Sequence, residues 1–186
     1  MTRLWLVRHG PTHARILLGR TDLPADLSDI AALDRLDAAL PDAAIVSSDL
    51  RRAAQTADAL ARGRPRLPHE PRLREMDFGD WDGRAADAID DPALRVFLEK
   101  PGARRAPGGE SWDDLAARAG TALDRLSRGR GDLIVVAHMG TILTQWARAT
   151  GLAPYDALAQ TIAPLSLTRI DLVRGRAVAV SANVRA

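Results

Sequence analysis

The sequence predicts an α/β protein: a three-layer α/β/α sandwich with a mostly parallel central sheet and an antiparallel edge strand. Three observations carry this. Short apolar runs of strand length, Arg3 to Val7, Ala43 to Ser47 and Asp132 to Ala137, alternate with longer segments whose apolar residues recur at helical spacing. Such runs suit strands buried on both faces, which a parallel sheet covered by helices requires. The chain closes on two more strand-like runs, Leu165 to Leu172 and Arg176 to Ser181, which read as a hairpin at the sheet edge. Its 186 residues suit a single domain over 1–186, at roughly 150 residues per domain.

The elements follow in order. The first strand delivers Arg8, His9 and Gly10 at its carboxyl end. Ser28 is the expected N-cap of a helix carrying Ile30, Leu33, Leu36 and Leu40, closed by Pro41. After the second strand, the alanine-rich segment Leu50 to Ala61 is a strong helix former that stops at Gly63. Ser47, Ser48 and Asp49 then sit at a strand-to-helix turn. Arg64 to Asp82, rich in proline, reads as irregular apart from a short strand near Arg66 to His69. A helix over Arg84 to Glu99 is expected to be interrupted by Pro92, and Pro101 to Gly109 is a loop. Ser111 to Ser127 is a long amphipathic helix with Leu115, Ala119, Ala122, Leu123 and Leu126 inward. The third strand ends at His138, and a helix over Ile142 to Thr150 follows.

Composition removes several function classes. With 46% hydrophobic and 27% charged residues the chain has material for a core. The lack of cysteine excludes disulfides, thiolate-bound metals and thiol nucleophiles. Net charge is only +2, Lys100 is the single lysine, and the arginines are scattered among acids, so no basic face for nucleic acid is expected. No apolar run approaches the roughly 20 residues of a membrane span, and the N-terminus lacks the pattern of an export signal. The reading is a cytoplasmic protein with no membrane partner. The quaternary state is open, a homodimer included.

Sheets of this class bind ligands outside the carboxyl ends of their strands, and His9 and His138 each directly follow a predicted strand. Taken singly, each is an ordinary loop or capping residue. Joined by Arg8, by Arg52 on the first turn of the second helix and by Glu75 in a proline-flanked loop, they compose an anion site with an acid beside it. Phosphoryl transfer asks mainly for in-line placement and for stabilisation of charge on the equatorial oxygens. Two guanidiniums and a second imidazole supply that without a metal. The Arg8 and Arg52 charges disfavour a protonated imidazole, which leaves His9 able to attack phosphorus. Glu75 gives a proton to the departing alkoxide and then draws one from water.

Five blocks carry a resemblance: LVRHGPT at the N-terminus, SSDLRRAAQTA around Arg52, LREMDFGDWDG around Glu75, PGGES before the long helix and VVAHMGTI around His138. In that order, over most of the chain, they resemble the histidine phosphatase superfamily, also called phosphoglycerate mutase-like. The resemblance implies a metal-independent, two-step reaction through phosphohistidine. His9 is then the nucleophile, Arg8, Arg52 and His138 form the phosphate pocket, and Glu75 is the proton donor. The substrate is a small phosphorylated metabolite, and no cofactor is implied. Thr12 matches the family and is expected to hydrogen-bond the phosphate or orient His9, a structural role in the turn being the other reading. Gly19, Arg20, Thr21 and Asp22 resemble the family's substrate loop, with Arg20 reaching an acidic group. The sequence departs from the pattern at Pro11 and Arg15, where the family often has glutamate or glutamine and asparagine, and at Met139, where glycine is common. These departures bear on substrate contacts. The family's mutases carry a longer insertion than the stretch of about 25 residues between Asp82 and PGGES here, so water is expected to finish the reaction. Among the short phosphatases the resemblance extends to the α-ribazole phosphatases. A broad-specificity sugar or nucleotide phosphatase, a mutase and a non-catalytic phospho-ligand binder are the other readings.

Overall fold

Strands β1 (Thr2–Arg8), β2 (Ile45–Ser47), β3 (Asp132–Ala137), β4 (Leu167–Val173) and β5 (Arg176–Val184) form one sheet in a computed structural model that describes residues 1–185. Their order is β2-β3-β1-β4-β5. The first three run parallel, whereas β4 is antiparallel to both β1 and β5. The helices are α1 (Ile30–Ala39), α2 (Arg51–Ala61), α3 (Pro92–Glu99), α4 (Trp112–Leu126), α5 (Met139–Thr150) and α6 (Pro154–Ala157).

Side chains alternate across a strand, and β1 and β3 are apolar on both faces. Val7, Ile134 and Val136 face a core completed by Leu33 and Leu36 of α1 and by Ala53, Ala57 and Leu60 of α2. Leu4, Leu6, Leu133 and Val135 face the opposite core, closed by Leu115 and Leu123 of α4 and Ile142 and Leu143 of α5. The sandwich therefore has helices on both faces. The edge hairpin turns on two residues, Arg174 and Gly175, both at positive φ, the two-residue turn whose twist matches that of paired strands.

Several boundaries differ from expectation. The first helix is capped by Asp29, which accepts from the Ala32 N–H, and not by Ser28. The strand expected near Arg66 to His69 is a single parallel bridge between Arg66 and Ile45. Pro92 does not interrupt a helix but opens α3 at its first turn, where its missing N–H costs nothing; the residues before it make only a 3-10 turn, Ala86–Ala88. Helix α5 begins three residues earlier than expected, directly after His138.

Ser111 and Asp114 cap α4 reciprocally, each side chain accepting from the other's backbone N–H. Replacing Ser111 with Ala removes one arm of that box at a buried position. We expect a loss of about 1 kcal/mol in urea denaturation, with an unchanged m-value.

Candidate active site

The site follows from strand order. β1 and β3 are adjacent, parallel and in register, with Arg8 opposite Ala137, so His9 and His138 emerge side by side. Their ring centroids lie 5.1 Å apart with planes inclined at 59°. The chain leaves β1 towards α1 on one face and leaves β3 into α5 on the other. That divergence opens a crevice at the strand ends. Strand β2 adds Ser48 one position further along the rim, its N–H donating to the Val136 carbonyl at 3.2 Å.

His9 is buried, and its Nδ1 lies 2.7 Å from the Gly10 carbonyl oxygen. A carbonyl only accepts, so Nδ1 carries the proton and Nε2 keeps its lone pair. Burial, reinforced by the Arg52 and Arg8 charges and opposed by the Gly10 hydrogen bond, lowers its pKa to about 3. His138 is wholly buried and is also held well below the ordinary histidine value, by burial first and then by His9 and Arg52. The Ser48 hydroxyl meets His138 Nε2 at 2.7 Å. It also accepts a long contact from the Leu50 N–H; when it donates its own proton to Nε2, the imidazole proton stands on Nδ1.

Two guanidiniums complete the basin. Arg52 is fully buried and donates to the carbonyls of Gly19 and Thr21 at 2.7 and 2.9 Å. Arg8 donates to the Ile162 carbonyl at 2.5 Å. Burial lowers the pKa of both, with the Glu75 charge opposing. Arg8 Nε, Arg52 Nε and His138 Nδ1 are buried nitrogens with no partner in the protein. Each unsatisfied buried polar group costs roughly 1–3 kcal/mol, and an anion that accepts from them would offset that cost.

Glu75 is buried beside this basin, accepting from the Met76 N–H at 2.8 Å and from the Gly140 N–H at 3.0 Å. Gly140 is required by that approach: a Cβ there would lie 2.4 Å from Glu75 Oε1. Arg118 braces the segment from α4, donating to the carbonyls of Arg72, Arg74 and Glu75 while paired with Glu110. A cavity of about 180 Å³ is lined by Arg8, His9, Thr12, Glu75 and Met139 among others.

The model of the histidine phosphatase superfamily (branch 1) matches residues 4–185. The chain belongs to that family. A glucosyl-3-phosphoglycerate phosphatase of Mycolicibacterium vanbaalenii is 37% identical over 176 residues, covering 83% of this chain and 76% of that protein. The adenosylcobalamin/alpha-ribazole phosphatase of Escherichia coli is 30% identical over 169 residues, covering 84% and 82%. The native structure of mycobacterial glucosyl-3-phosphoglycerate phosphatase superposes with a TM-score of 0.86 at 28% identity, covering both chains fully. This histidine phosphatase shares the fold of that solved structure, and it is a phosphomonoesterase by family.

The structure brings together His9, Arg8, Arg52, His138 and Glu75, with Thr12 and Met139 at the cavity wall. It directs Arg20 and Thr21 elsewhere. The Arg20 guanidinium meets Glu110 at 3.3 Å and Asp77 at 3.7 Å, and the Thr21 hydroxyl donates to Asp82. Their loop is a support for Arg52: Asp82 accepts from the N–H groups of Gly19, Arg20 and Thr21, and Arg52 bonds the carbonyls of that loop. Ser48, Asp82, Arg118 and Thr56, which accepts from the Gly10 N–H at 3.0 Å, are the supporting residues that the sequence reading missed. A signal existed only for Ser48, at its strand-to-helix turn.

Two outcomes follow. The unfolded His9 binds a proton near pH 6.5, whereas the folded residue refuses it until about 3. Its contribution to stability is therefore full above the unfolded value and declines as pH falls through that window. Imidazole 15N spectra should hold His9 as the neutral Nδ1–H tautomer at pH 5; protonation near 6.5 would contradict the burial argument. In Gly140→Ala the flexible Glu75 must swing aside. The fold should survive, with turnover of alkyl phosphates falling at least about tenfold while the thermal midpoint changes by only a few degrees.

Proposed function

We propose that this histidine phosphatase hydrolyses a small-molecule phosphate ester through a phosphohistidine on His9, with Glu75 as general acid and then general base and with no metal. The observation that carries this is the set of buried, unpartnered nitrogens on Arg8, Arg52 and His138 around an imidazole whose Nε2 lone pair is free. They suit a tetrahedral anion; the lone pair suits attack on its phosphorus.

In the first step Nε2 forms a bond to phosphorus as the ester oxygen departs on the opposite side, taking a proton from Glu75. The guanidiniums and His138 Nδ1–H take up charge on the three equatorial oxygens. In the second step water gives a proton to the Glu75 carboxylate and attacks phosphorus. The N–P bond breaks, and inorganic phosphate leaves with His9 restored. Water is the acceptor because only about 25 residues separate Asp82 from the Gly108–Gly109 turn, too few for a long enclosing insertion. Among the described residues no group of three or more His, Asp and Glu side chains is arranged to ligate a metal.

The ester is a small phosphorylated metabolite. The E. coli relative's name supplies α-ribazole 5'-phosphate as one candidate, and the M. vanbaalenii relative's name supplies glucosyl-3-phosphoglycerate as another. A panel holding both, with sugar phosphates, nucleotides and 3-phosphoglycerate, separates a dedicated enzyme from a broad-specificity one.

Turnover of p-nitrophenyl phosphate should persist in EDTA, and acid-labile label should accumulate on wild-type protein but not on His9→Ala. A requirement for divalent metal would overturn the mechanism. Glu75→Gln should slow alkyl esters by about 10²- to 10⁴-fold and p-nitrophenyl phosphate much less, since a good leaving group needs little protonation. Equal slowing of both would remove Glu75 from the acid role.

A further inference from the structure

Two further cavities share walls with the one that holds His9, and they differ in chemistry. One, of about 440 Å³, adjoins it at Pro11 and Pro164 and is lined by charged groups that include His13, Asp26, Asp29 and Arg185. The other, of about 170 Å³, adjoins it at Leu17, Phe78, Glu75 and Met139. Its remaining walls are apolar, with Phe97 and Leu98 from α3, Leu143 from α5 and Leu158 just past α6.

The position of the acid decides which of the two receives the leaving group. A general acid must stand within hydrogen-bond reach of the oxygen it protonates, so the carbon skeleton attached to that oxygen continues on the acid's side. Glu75 lines the apolar cavity and has no part in the charged one. Within the apolar cavity the Glu75 carboxylate already accepts from the Gly140 N–H, and no cationic side chain lines the walls. A leaving alcohol bearing its own carboxylate would therefore bury an unpaired charge next to Glu75, which is costly. An apolar ring would instead be drawn out of water. The volume suits this as well, because an apolar cavity of about 150 Å³ accepts benzene.

We infer that the apolar cavity beside Glu75 is the leaving-group site, and that it selects phosphate esters of alcohols carrying a compact apolar ring over those carrying a carboxylate. Leu98 and Leu158 are its specificity residues. The inference rests on the reading of Glu75 as the acid. Neither leucine touches the phosphoryl site, and their exposures of 43% and 38% make them replaceable without loss of core.

The test compares three alkyl esters with similarly poor leaving groups: 2-phenylethyl phosphate, ethyl phosphate and 3-phosphoglycerate. In the wild-type protein kcat/KM for the phenylethyl ester should exceed that for ethyl phosphate by at least about tenfold, with 3-phosphoglycerate below both. Leu98→Glu and Leu158→Glu should each reduce that preference to within about threefold, through a rise in KM for the ring ester. Turnover of p-nitrophenyl phosphate without a ring preference, or with 3-phosphoglycerate preferred, overturns this inference and leaves the phosphatase reading intact. Absence of His9-dependent turnover of any ester overturns the phosphatase reading itself. The wild-type ratios require no variant, so a poorly folding leucine variant does not protect the proposal.

Discussion

The parallel pairing of β1 with β3 is the constraint on which the site depends. Two residues 129 positions apart in sequence become neighbours because Arg8 and Ala137 stand opposite each other, and the next residue of each strand is a histidine. A slip of one residue in that register would turn every side chain of a strand to the opposite face. It would set Leu4, Leu6, Leu133 or Val135 against the wrong core. The hydrophobic patterning that fixes the sandwich therefore also fixes the distance between the two imidazoles. Catalytic geometry and core packing are here one specification.

Burial makes the basin effective and also makes it hard to build. Arg52 has no exposed surface, and a guanidinium so placed needs acceptors. The protein supplies them as backbone carbonyls on the loop at Gly19 to Thr21, which is itself tied down by one carboxylate, Asp82. Neutral carbonyls orient the cation without neutralising it. Its positive charge stays available to an incoming anion in a way that a direct carboxylate partner would not allow. Glu75 is the acid that most favours this charge, and both of its oxygens are already held by backbone N–H groups. Such fixed dipoles require no reorganisation when charge develops on that carboxylate.

Much of this is readable from sequence, and the exceptions have physical reasons. The strand-then-histidine order is legible at His9 and His138 because a run of apolar residues that stops at a polar one marks the rim of a parallel sheet. The cap at Asp29 is not legible, since Ser28 and Asp29 are both capping residue types. The choice is made by Asp26, whose side chain accepts from the Ser28 N–H and holds that residue in the preceding turn. The early start of α5 is hidden because Gly140 is a poor helix former; its N–H is satisfied by Glu75, 65 residues distant in sequence, and no local pattern encodes that. Arg20 looks like a free cation in a substrate loop. Only the fold reveals that Glu110 and Asp77 converge on it. Ser48 acts on His138 through the neighbouring strand, a relation set by sheet order alone.

Met139 marks the boundary between two halves of the site with different structural origins. The phosphoryl half comes from strand ends and buried helix starts, where backbone hydrogen bonds fix each group and a change of one residue disturbs the core. The proposed leaving-group half comes from α3, from the segment just past α6 and from exposed side chains such as Leu98 and Leu158. Met139 lines the cavities of both halves while remaining 42% exposed. A long, flexible thioether adapts to the shape beside it at little cost, so in place of a glycine it adds apolar wall next to the acid without displacing the imidazole that precedes it. Separation of this kind would let the proposed reaction remain fixed while the alcohol it releases is set by exposed residues outside the buried core.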